Sequence, residues 1–189
     1  GAGNELAEQI REGNIAIELL RPYTILYKLV AIDLGVKATS ALRSTIPMFL
    51  VAVIFVGVQF PASAESLFLF LVSAVLGILL GTQIDLMVGV LAFWTVNIWG
   101  LSVFKESVIR FFSGALIPIS LFPLWFRTFS QYMPFQSMIY VPVSIYTGSI
   151  SGSSAYIAIS VQFLWLLITF FAIKLSWHYA VKKVTIFGG

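Results

Sequence analysis

Gln83 and Asp85 are the polar residues that interrupt the longest apolar stretch of this 189-residue chain. An ionisable group among membrane-embedded residues marks, by default, a substrate or proton site. Along a helix begun at Ser66, however, Asp85 lies about 28 Å on, close to an interface where a carboxylate is tolerated. The pair is read first as an interfacial polar pair and second as part of a polar pathway. Arg127 is read the same way: an interfacial arginine first, a reader of an anionic group second. Asp85, Ser102 and His178 are the plausible groups for a membrane-embedded enzyme acting on lipid, and no shared mechanism unites them. His178, between Trp177 and Tyr179, has the setting of an interfacial anchor. With one histidine and no cysteine, the chain offers no thiolate, no disulfide and no His-rich metal cluster. No catalytic residue, cofactor or metal is expected.

The composition says what must position these groups. Hydrophobic residues make up 59% and charged residues 10%, with mean hydropathy +0.98. Soluble domains run at roughly 45–50% and about 25%. A free cytosolic enzyme, a disordered tail and a fibrous protein are excluded, and a multi-span membrane protein remains. The net charge of +3 is small. Its placement speaks of topology, and no nucleic-acid partner is expected.

The uncharged runs serve as a ruler. Between Arg43 and Glu65 lie 21 uncharged residues, enough for a core of roughly 30 Å. Spans are expected at about 44–60, 66–98, 102–121 and 155–177, within a transmembrane domain covering 45–189. A break at Asp85 into two spans is the competing reading of 66–98. Segment 122–148 is apolar, but Pro123, Pro134 and Pro142 interrupt it; it reads as short broken helices dipping into one leaflet. Gly77, Gly81 and Gly89 could permit close helix packing. The fold class is thus all-α and polytopic: four transmembrane helices, a re-entrant external segment and amphipathic helices on the cytoplasmic side.

Residues 1–44 carry five of the eleven Lys and Arg and read as helical but not spanning. Asn4 is a candidate cap for a first helix, Gly13 a left-handed stop, and Asn14 a cap for a second helix ending before Pro22. A longer helix follows over about 23–44. Placing this region, Lys105 to Arg110 and the Lys182-Lys183 tail in the cytoplasm leaves only Arg127 outside. The N-terminal helices read either as interfacial elements lying on lipid or as a docking surface for a protein partner. The acidic face Glu5, Glu8 and Glu12 favours the partner.

Three blocks carry a resemblance. The first runs from Ile10-Arg11-Glu12-Gly13-Asn14 to Glu18-Leu19-Leu20-Arg21-Pro22. The second is Phe112-Ser113-Gly114-Ala115-Leu116-Ile117-Pro118-Ile119-Ser120-Leu121-Phe122-Pro123. The third runs from Met133-Pro134-Phe135-Gln136 through Tyr140-Val141-Pro142 to Ile145-Tyr146-Thr147-Gly148. In order and spacing they resemble the integral membrane subunit of type-2 ABC exporters, the ABC-2 permeases, in their small bacterial branch.

The resemblance implies six spans, the first two of which would precede residue 1. It also implies a location in the bacterial inner membrane, and an N-terminal region and C-terminus in the cytoplasm. It implies ATPase-coupling positions at Ile10, Gly13, Asn14, Leu20, Arg21 and Pro22. Residues of an external gate would be Pro118, Phe122, Pro123, Pro134, Phe135, Tyr140 and Pro142. The implied partners are a separate ATP-binding cassette subunit, a second permease copy and the lipid bilayer. The sequence has no Gly-x-x-x-x-Gly-Lys-Ser/Thr loop of its own to cradle ATP phosphates. A lipid-modifying enzyme and a passive channel or structural membrane protein stand as the alternatives.

Overall fold

Main-chain N–H and C=O groups in lipid have no water to bond, so an apolar chain closes its hydrogen bonds within helices. The computed structural model describes residues 1–57, 61, 63–95, 98–114, 116, 117 and 119–182, and among them there is no strand. The helices are α1 (Ala2–Arg11), α2 (Ile15–Leu19), α3 (Ile25–Ser40), α4 (Ile46–Val56), α5 (Ala64–Val90), α6 (Ile98–Phe112), α7 (Leu124–Gln131), α8 (Tyr140–Tyr146) and α9 (Ser153–Val181).

Among the described residues, three helical stretches are long and apolar enough to cross a bilayer: Ile25–Val56, Ala64–Phe93 and Ser153–Val181. The first joins α3 to α4 through a π-helical turn at Ala41–Thr45. A span expected to begin near residue 44 is therefore the second half of a 32-residue helix. Its early charges do not break it, because they are paired: Lys28 reaches Glu18 of α2 at 3.0 Å, and within α3 Lys37 reaches Asp33 at 2.6 Å. The second stretch is one helix straight through Asp85, and Leu91–Phe93 end it in a tight 3-10 turn. Ser63 caps its start, its Oγ accepting the Ser66 N–H at 3.1 Å, with Glu65 in the favourable first turn.

The third span, expected at 102–121, is not one helix. α6 stops at Phe112, and Gly114 then takes a left-handed φ of 79°. The chain still passes along the bundle, but in pieces. At one end, here the loop end, α1 and the starts of α2 and α3 pack on the C-terminal ends of α5 and α9 through Leu6, Ile15, Ile25, Val90 and Ala180. Near that end Ser102 of α6 donates to the Asn4 side chain at 2.7 Å. Ile109 then reaches a middle cluster of Leu80, Ile84 and Leu166. α8 arrives at the far end, where Val141 and Ile145 pack with Leu69 and Ala155. Tyr156 also bonds Glu65 there, at 2.8 Å.

α5 and α9 form the central pair. The glycines of α5 do not serve that pairing. A Cβ on Gly77 would stand 2.8 Å from the Met138 carbonyl oxygen, so this glycine admits the loop before α8.

Candidate functional site

Two features at the loop end combine polar chemistry with accessible surface. The first is the turn linking α1, α2 and α3. Gly13 ends α1 with a φ of 77° and open space around it, the left-handed stop that glycine adopts without strain. Asn14 stands at the head of α2, but its side chain donates to Glu12 at 2.9 Å rather than accepting a helix N–H. Asn4 likewise caps nothing: α1 already starts at Ala2, and the Asn4 oxygen accepts from Ser102.

The base of this turn is ionic. Glu18 is buried and meets Lys28 at 3.0 Å and Arg21 at 3.3 Å. Arg21 also donates to the Tyr23 hydroxyl at 2.7 Å. That bond, helped by the charge of Glu18, raises the Arg21 pKa above its ordinary value. Arg21, Pro22 and Glu18, with Trp177 of α9, line a hollow of about 310 Å³. The apolar tip points away from all this: Ile17 is 62% and Leu20 is 86% exposed. Ile10 instead tucks against the core beneath.

The second feature is a charged lattice under that turn. Asp33 of α3 is buried; one oxygen accepts the Ala2 N–H at 3.1 Å and the other accepts from Thr82 of α5 at 2.7 Å. Lys37 touches both Asp33 and Thr82. One turn further along α5, Asp85 pairs with Lys105 of α6 at 2.5 Å. α1 lies over the lattice with its backbone against α5: Gly3 abuts the Asp85 carbonyl, and Gly89 abuts Gly3. Gln83, expected to act with Asp85, faces the other way and bonds Thr169 of α9. It borders a separate hollow of about 290 Å³ lined also by Leu86, Lys174 and Trp177.

Sequence reading missed Asp33, Lys37 and Thr82. The four-residue spacing of Asp33 and Lys37 signals a helical ion pair, but nothing in it points to Thr82. It also missed Gln162, fully buried in α9, whose amide donates to the Ser137 carbonyl at 2.7 Å and the Ser73 carbonyl at 3.2 Å. A glutamine in the middle of an apolar run was the available signal.

The residues expected at an external gate fall into two groups. Phe122 and Phe135 join an aromatic cluster with Phe111, Phe112 and Phe126, including a Phe122–Phe126 centroid separation of 4.5 Å. Pro123 heads α7, and Arg127 donates to the Phe122 carbonyl at 2.9 Å. Pro134 lies in the turns before α8. Tyr140 and the buried Pro142 belong to α8 at the far end. Pro118 lies outside the described residues, as does Lys183 of the basic tail. The trio weighed for lipid chemistry is engaged elsewhere: Asp85 with Lys105, Ser102 with Asn4, and the His178 ring with Tyr179 at 5.7 Å.

Long apolar helices enclosing buried polar side chains define an integral membrane protein. Residues 1–188 match the family described as ABC-2 family transporter protein, and the chain belongs to that family. It is a permease-type membrane subunit. No curated protein and no solved structure matches it.

Proposed function

We propose that the chain forms half of the translocation path of an exporter and is driven by a separate ATP-binding subunit that docks on residues 10–22. The observation that carries this reading is the exposed pair Ile17 and Leu20 on a turn anchored by the Glu18 ion pairs. An apolar tip on a fixed base suits a contact that must transmit motion. Family membership adds that such permeases usually work with an ATP-binding subunit.

In this reading the loop end faces the cytoplasm and the membrane is the bacterial inner membrane. A second copy completes the path, and residues 122–148 form the outward gate. ATP binding draws two ATPase subunits together and moves the docked turns. The bundle then shifts between two states that differ in affinity for substrate and for the ATPase conformation. Gly13, Asn14, Arg21 and Pro22 shape the turn, Leu20 supplies contact area, and Ile10 ties it to the core.

The test is co-purification of the tagged permease with its ATP-binding subunit. Leu20→Asp, Arg21→Glu and Gly13→Pro are expected to cut recovery of the ATPase at least about fivefold, roughly 1 kcal/mol, while the permease itself stays folded by thermal unfolding. Undiminished association in all three variants defeats the docking assignment.

A further inference from the structure

Lys174 of α9 is a cation that no acid of the chain answers. The carboxylates in the interior of the loop end are already engaged: Glu18 with Arg21 and Lys28, Asp33 with Lys37, and Asp85 with Lys105. Among the described residues Lys174 has no ion-pair partner. Its ammonium lies instead over the ring of Phe170, 4.6 Å from the centroid. Helix side chains lean toward the helix N-terminus, and in α9 that direction leads away from the loop end.

Polar markers on the two central helices set its depth. Along α5, Glu65 and Asp85 are about 30 Å apart, and along α9, Tyr156 and Lys174 are about 27 Å apart, at 1.5 Å per residue. Tyr156 bonds Glu65, so the two measures start level. Both match a hydrocarbon core of roughly 30 Å, which sets the Lys174 backbone at the headgroup boundary of the loop end. The hollow of about 290 Å³ beside it has walls from three helices: Leu26 and Val30 of α3, Leu86 of α5, and Phe170 and Ile173 of α9. Among the described residues Lys174 is the only charged one that lines it, with Gln83 and Tyr27 as polar neighbours. Tyr27 and Lys174 are exposed, so the hollow opens on the outside of the bundle.

A cation beside an apolar slot selects an anion that carries a hydrocarbon chain, and basic pockets between transmembrane helices bind anionic head groups. No carboxylate lines the hollow to receive an ammonium, so a zwitterionic head is matched only in part. We infer that the hollow is a site for an anionic phospholipid of the loop-end leaflet. Its phosphate meets the Lys174 ammonium, and the upper part of one acyl chain fills the slot between α3, α5 and α9. The volume is at the low end for a small-molecule site, so the rest of the lipid stays in the bilayer. Thr24 and Trp177 also line the hollow beneath the proposed docking turn, and the lipid therefore sits beside that turn.

Native mass spectrometry of the purified membrane subunit, titrated with phosphatidylglycerol and phosphatidylcholine of the same chains, reads the preference. Phosphatidylglycerol is expected to bind about fivefold more tightly. Lys174→Gln abolishes the preference, and Lys174→Arg keeps it. Lys182→Gln removes an exposed cation that lies over Tyr179 outside the hollow and leaves the preference unchanged. Val30→Trp fills the slot and weakens both lipids, with the fold checked by thermal unfolding. Equal binding of the two lipids by the unaltered chain overturns the inference. So does a preference that survives Lys174→Gln, an equal loss in Lys182→Gln, or full binding by folded Val30→Trp. Displacement of the lipid by excess inorganic phosphate would make this a free-anion site, and separation of two copies by Lys174→Gln would make it an inter-copy ion pair; either refutes the lipid assignment. Binding is read without the ATP-binding subunit, so a failure of ATPase docking leaves this result standing, and the reverse holds too.

Discussion

The Lys105 ammonium of α6 sits 2.5 Å from the Asp85 carboxylate of α5, with the two side chains only 14% and 17% exposed. This pair joins α6 to the central helix. Removing one member leaves a desolvated charge, which costs several kcal/mol, whereas the intact pair by itself adds little.

Lys105→Met is therefore expected to destabilise the protein by about 3 kcal/mol. Exchanging the partners, Asp85→Lys with Lys105→Asp, restores a large part of that loss. Thermal unfolding in detergent measures both, and an exchange no more stable than Lys105→Met contradicts the pairing.

Gly89→Ala tests the seating of α1. The added Cβ would stand 2.5 Å from the Gly3 carbonyl oxygen and 2.7 Å from its Cα. Backbone on both sides cannot yield cheaply, so a loss of about 1–3 kcal/mol is expected. Gly35→Ala is the contrast: it meets no atom within 4 Å, and helix propensity favours it by up to about 1 kcal/mol. Opposite shifts in unfolding temperature support the packing; equal shifts refute it.

Gln162 separates hydrogen bonding from charge at the centre of the bundle. Its Oε1 atom is buried and finds no partner among the described residues, while its amide serves two carbonyls. Gln162→Leu gives up two bonds and removes an unpaired oxygen, for a net cost near 1 kcal/mol. Gln162→Glu turns an anion toward carbonyl oxygens and costs at least about 3 kcal/mol. Comparable stability of the two variants would show that the amide does not face those carbonyls.

Phe126 is the hub of the aromatic cluster, with Phe111, Phe112, Phe122 and Trp125 all within 5.6 Å by ring centroid. Phe126→Leu gives up aromatic pairs worth about 0.5–1.5 kcal/mol each. Amide exchange across 119–135 is expected to speed up, with α9 unaffected. Faster exchange in α9 as well would mean that the cluster supports the whole bundle rather than the broken segment.

Class and family were legible without coordinates. The helices Ala64–Phe93 and Ser153–Val181 follow from apolar run length, which is a local property that the bilayer reads directly. The three blocks pointed to the ABC-2 permeases because short motifs keep their spacing whatever they pack against. The turn at Gly13 was equally local, a backbone conformation that glycine adopts without strain.

What only the tertiary structure decided is where the charges go. By sequence, Arg43 marked the edge of a span; with Asp33 bonded to Thr82 and Lys37 paired with Asp33, the helix begins at Ile25 and Arg43 falls within it rather than at its start. Asp85 and Gln83, two residues apart, were read as a pair, yet they face α6 and α9 respectively. The cost of a buried charge or amide depends on partners brought by distant segments. Run lengths and spacings within one segment carry no record of those partners, so the polar interior emerged only when the helices were packed.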